Sequence, residues 1–94
     1  MNEDIKRVLD YLNRNKIRAT YGAVGDYLGL PRWPMPNWDE LLVARSPYSS
    51  WIVRTRDGLP GGYALEELHP DLESQPEIIT EGKQLKEILD ANTN

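Results

Sequence analysis

Arg54 and Arg56 flank Thr55 just ahead of an Asp57-Gly58 turn, and Arg32 and Arg45 precede them along the chain. Guanidinium groups so placed could meet phosphates, although arginines on a turn are commonly just solvated. Trp33 lies among Pro31, Pro34 and Pro36. It either folds back as a plug over the core or offers a stacking platform to a base or a partner peptide. Covalent chemistry is poorly served. The chain has no cysteine, which excludes disulfides, thiolate metal sites and a thiol nucleophile. Its one histidine, in His69-Pro70-Asp71-Leu72, reads as solvent-exposed in a connector, so a Ser-His-Asp triad or a histidine metal site is implausible. Asp39 and Glu40 are neighbours that would point differently on a helix, and no phosphate loop stands out. No catalytic residue, cofactor or metal is expected.

These residues depend on a small set of elements. Ile5, Val8, Leu9 and Leu12 make one helical stripe, predicting a first helix over 3–15 with Glu3 and Asp4 in its first turn. A second helix begins at Thr20, a capping residue, and ends where Gly29 suits a left-handed C′ position before Pro31. Gly22 and Gly25 each cost about 1 kcal/mol of helix propensity, which suggests close packing or close approach of a partner. After a stiff loop to Pro36, a third helix starts at Asn37 and stops at Ser46-Pro47, with Trp38, Leu41 and Leu42 as its apolar face. Residues 50–55 read as a strand with Trp51 and Val53 inward and Ile52 and Arg54 outward. Arg56-Asp57-Gly58 turns the chain, and Gly62-Tyr63-Ala64 returns as a second strand. Residues 66–76 read as an exposed acidic connector, 77–79 as a short strand, and Thr80 as the cap of a last helix with Leu85, Ile88 and Leu89 as its stripe. Residues 91–94 should fray.

The motif order resembles the alkylguanine-DNA alkyltransferase and alkyltransferase-like family. It is carried by Thr20-Tyr21-Gly22, Val24-Gly25, Gly29, Ser46-Pro47, Ser49-Ser50-Trp51, Asp57-Gly58, Gly61-Gly62 and Glu81-Gly82, and it covers nearly the whole chain. The resemblance implies a single α/β, mainly α, winged-helix-like domain over 1–94, with a helix-turn-helix, a small β wing and a C-terminal helix. It implies duplex DNA as partner, held through helix three and the wing. Tyr21 matches the tyrosine that crowds a phosphate, Trp51 the position lining the alkyl pocket, and Glu81 the late glutamate. The competing roles are packing of helix two on helix one for Tyr21, core for Trp51 and a first-turn helix acid for Glu81. The family's chemistry needs a cysteine nucleophile, absent here, and no His-Arg-Val follows Trp51. Asn37 stands near where the family inserts an arginine into the base stack. A non-enzymatic binding module is therefore expected, its tentative DNA contacts Tyr21, Arg32, Asn37, Arg45, Arg54 and Arg56, its tentative pocket Trp33, Trp51 and Glu81.

Charge works against DNA. The net charge is −4 and the pI about 4.9. Residues 1–58 hold nine Lys/Arg against seven Asp/Glu, a balance of +2, while residues 59–94 hold two against eight, a balance of −6. Any DNA binding is then expected to be weak. The alternative is an acidic protein-interaction domain using Trp33, Trp38 and the 59–76 segment. A hydrophobic content of 39% argues against global disorder. No apolar run approaches the roughly 20 residues of a membrane span, and Met-Asn-Glu-Asp lacks the marks of a signal peptide. With no cysteine, a cytoplasmic location is expected.

Overall fold

The computed structural model describes residues 3–31, 37–42, 46–73 and 77–91. Helix α1 (Glu3–Asn15) buries Ile5, Val8, Leu9 and Leu12, with acids in its first turn and Arg14 in its last, as the helix dipole favours. It stops because Lys16 adopts a left-handed φ of 56°. The Ile17 N–H then donates back to the Leu12 carbonyl (3.2 Å), closing the helix end. Strand β1 (Arg18–Thr20) follows at once, fully buried along its length. Thr20 ends it and caps helix α2 (Tyr21–Leu28), its Oγ1 accepting the Ala23 N–H at 3.1 Å. Gly29, at φ 73°, closes α2, with the Leu30 N–H donating to the Gly25 carbonyl at 2.8 Å.

Helix α3 spans Trp38–Leu42. A 3₁₀ turn at Pro47–Ser49 leads to strand β2 (Ile52–Val53), and a second 3₁₀ turn at Leu65–Glu67 precedes strand β3 (Ile78–Ile79) and helix α4 (Gly82–Ala91). Helix α4 starts at Gly82, so Glu81 stands one residue beyond the expected Thr80 cap, and Gln84 reaches back to accept the Glu81 N–H at 3.2 Å.

The three strands form one sheet in the order β2-β1-β3. Both pairings are parallel, Ala19 facing Ile52 and Ile79, Thr20 facing Val53, and Arg18 facing Ile78. Helices α2 and α4 pack on each other and reach the sheet through β1, β2 and β3; α1 packs on α2 and on the Pro47–Ser49 turn. The core joins the α1 stripe, Ala19, Ala23, Val24, Trp51, Ile52, Ile79, Leu85 and Leu89.

This sheet overturns the winged-helix expectation. A wing needs the segment after residue 50 to fold back antiparallel on itself. Instead β2 lies parallel beside β1, and Gly62-Tyr63-Ala64 is turn and irregular chain, not strand. The architecture is an α/β domain of Rossmann- or flavodoxin-like kind. The expected alternation across 50–55 also fails: Ile52 is buried along with Trp51 and Val53, because a parallel sheet covered on both faces has no wet side.

Candidate binding surface

In an all-parallel sheet every strand points the same way, so the segments that leave the strands collect at one edge. Here that edge gathers Tyr21-Gly22 after β1, the Arg54–Leu59 turn after β2, and Thr80-Glu81-Gly82 after β3. Three separated stretches of the motif order therefore become neighbours.

The Arg54–Leu59 turn is closed on itself. The Arg54 N–H donates to the Leu59 carbonyl (3.0 Å), and the Gly58 N–H to the Arg54 carbonyl (2.9 Å). The Arg54 guanidinium is spent on Asp57, its Nη2 lying 2.6 Å from Oδ2. Asp57 Oδ1 also accepts the Leu59 N–H at 3.1 Å. That backbone bond, then Arg54 and the charge of Arg56, hold the Asp57 carboxyl below its usual range. Beneath the turn, buried Arg18 donates from Nη1 to the Gly58 carbonyl at 2.9 Å. Gly58 has a φ of 68°, and a Cβ there would stand 2.9 Å from that Nη1 and 3.2 Å from Ile78 Cδ1, so glycine is required.

Tyr21 is half-buried. Its ring meets Trp38 at 5.1 Å between centroids, and its hydroxyl accepts the Gly61 N–H at 3.1 Å. Asn37, Arg56 and Glu81 are exposed. Arg32, Trp33 and Arg45 lie outside the described residues. The edge thus brings Tyr21, Arg54, Arg56 and Glu81 to one end of the sheet, with Arg54 already neutralised.

Trp51 stands elsewhere. It is 0% exposed, and its indole Nε1 donates to Asn13 Oδ1 at 3.1 Å. The His69 ring packs on it at 4.8 Å. His69 is therefore half-buried, not the exposed connector residue expected. Its Nδ1 accepts the Asp71 N–H (3.0 Å), and its own N–H donates to Ser50 Oγ (3.1 Å). Sequence reasoning missed this cluster, because Trp51, Asn13 and His69 come from three distant segments and share no motif.

The chain between these two regions presents a different feature. Leu65 is 85% exposed and is the one large apolar residue so exposed among the described residues. It sits on the Leu65–Glu67 turn between Ala64 and the acids Glu66 and Glu67. The turn is fixed. The Ala64 N–H donates to Glu67 Oε1 at 2.8 Å, and the Glu67 N–H to the Ala64 carbonyl at 2.9 Å. On one flank the Tyr63 hydroxyl lies 2.5 Å from Ser49 Oγ; on the other, His69 is tied to Ser50.

Among the described residues no group of His, Cys, Asp or Glu is arranged to hold a metal ion, and no helix is long and apolar enough to cross a membrane. No protein-family model, curated protein or solved structure matches the chain.

Proposed function

We propose that this chain is a non-enzymatic, cytoplasmic binding module whose partner is a protein, engaged through the acidic 59–76 segment with Leu65 as the anchor. The observation that carries this is Leu65 held outward on a turn pinned at Tyr63 and His69. An apolar side chain presented by a fixed backbone loses little freedom on binding, which favours it as an anchor. Glu66 and Glu67 beside it suit an apolar pocket with a basic rim. The absence of cysteine argues against alkyl transfer and favours a reducing compartment. Duplex DNA is the weaker reading, since Arg54 is already paired with Asp57 and the net charge is −4.

The test is capture from a cell extract by the immobilised parent, by Leu65→Glu and by Glu87→Ala on the exposed face of α4. A protein held by the parent and by Glu87→Ala, lost from Leu65→Glu and displaced by soluble parent is the expected result. Capture equal on all three surfaces rejects the reading. Capture abolished by nuclease favours DNA instead.

A further inference from the structure

Strand β3 is an edge of the sheet, since the order ends there among the described residues. The Ala19 N–H of β1 is spent on the Trp51 carbonyl of the opposite neighbour, at 2.9 Å. Backbone groups alternate sides along a strand, so β1 must bond β3 through Arg18 and Thr20. With Arg18 facing Ile78 and Ala19 facing Ile79, those bonds fall on the N–H and C=O of Ile79. The N–H and C=O of Ile78 therefore point away from β1, to the open edge. Beside them runs a groove of about 400 Å³ between β3 and α4. Ile17, Ile78, Ile79 and Ile88 make it apolar, Gln84 adds one amide, and Glu77 is the one charged residue among the described ones that line it.

We propose that this edge takes a basic, extended polypeptide segment as a fourth strand. The segment bonds to the N–H and C=O of Ile78, lays its alternate β-branched side chains, which share one face, into the groove against Ile88, and sets a lysine or arginine against Glu77. Charge selects the occupant. The carboxylate at the groove and the −6 balance of residues 59–94 favour a cationic segment. The same charge opposes a second copy, because two chains of −4 repel as they approach edge to edge. Nothing in β3 blocks the addition, as both its residues are isoleucine and neither is a lysine or proline that would guard an edge. The site is independent of Leu65, and Leu65→Glu leaves it intact.

The probes are two blocked hexapeptides, Lys-Val-Lys-Ile-Lys-Val and its charge-reversed partner Glu-Val-Glu-Ile-Glu-Val, titrated at low salt into the full chain. Amide exchange is followed by NMR. The basic peptide should bind and the acidic one should not. At ten times its Kd, the basic peptide should slow exchange of the Ile78 amide about tenfold, since that amide is open only in the free form. Glu77→Lys should weaken the basic peptide about fivefold, the worth of one exposed ion pair. Ile78→Pro removes the outward N–H without touching the Ile79 bonds to β1, and should abolish binding in a chain that still folds. The proposal is overturned by no binding of either peptide, by equal binding of both, or by binding that leaves the Ile78 amide unchanged. Mass doubling of the free chain with concentration would also overturn it and make a second copy the occupant.

Discussion

Trp51 and His69 pack with ring centroids 4.8 Å apart and planes tilted by 42°, and the contact ties the chain after β2 back onto the core next to α1. Trp51→Ala should cost about 3–5 kcal/mol, enough to unfold many domains of this size. His69→Ala alone should cost less, and the pair should couple by about 0.5–1.5 kcal/mol in a double-mutant cycle read by urea denaturation. A Trp51→Ala protein with unchanged stability would show that the indole is not core.

Gly82 marks where α4 meets α2. A Cβ at that position would lie 2.5 Å from Asp26 Cβ, 3.0 Å from the Tyr27 nitrogen and 3.1 Å from the Ala23 carbonyl oxygen. Backbone cannot yield cheaply, so Gly82→Ala should destabilise by about 1–3 kcal/mol even though alanine is the better helix former. Gly22 is the control. Its nearest neighbour would be Thr20 Oγ1 at 3.9 Å, and Gly22→Ala should stabilise by about 0.4–1 kcal/mol. Thermal melts of the two variants should move in opposite directions; a gain from Gly82→Ala would mean the two helices are not in contact there.

Asp57 gives a signed pH dependence. Its folded carboxyl titrates below its unfolded value, through the Leu59 N–H first and then Arg54 and Arg56. The stability it confers is therefore present above the unfolded value and lost as pH falls through the folded one, a window below about pH 4. Asp57→Asn should flatten that part of the melting-temperature curve. Identical acid limbs for parent and variant would remove Asp57 from the account.

Duplex DNA should show little or no binding in an anisotropy titration across several salt concentrations. Four arginines on phosphates would give a log K against log salt slope of about −3.6. Arg54 is held by Asp57 at 2.6 Å and would first have to break that pair. A slope approaching four contacts, halved by combining Arg54→Ala with Arg56→Ala, would restore the DNA reading.

Local signals were legible in the sequence and distant ones were not. The Ile5-Val8-Leu9-Leu12 stripe, the Thr20 cap and the Gly29 terminus each depend on residues within one or two helical turns, and all three appear as read. The sheet depends on strands of two or three residues paired across the chain, too short to show a period. Arg18-Ala19-Thr20 carries no strand signal in the sequence, and Ile52-Val53 reads there as part of a wing, because parallel pairing to β1 leaves no local mark. The motif order implied a wing and gave no sign that Tyr21, Arg54 and Glu81 would reach one end of a parallel sheet. Nor did it foretell that Arg54 would be paired. The 59–76 segment was visible as a candidate surface from its charge, but Leu65 within it stood out only once its neighbours were seen to fix the turn.

The most direct test of the protein-binding claim places a photo-crosslinking amino acid at position 65, with position 87 as control, in otherwise unchanged chains in cell extract. One protein adduct is expected at position 65, absent at 87 and displaced by excess parent but not by Leu65→Glu. Adducts identical at both positions, or adducts to nucleic acid, would contradict it.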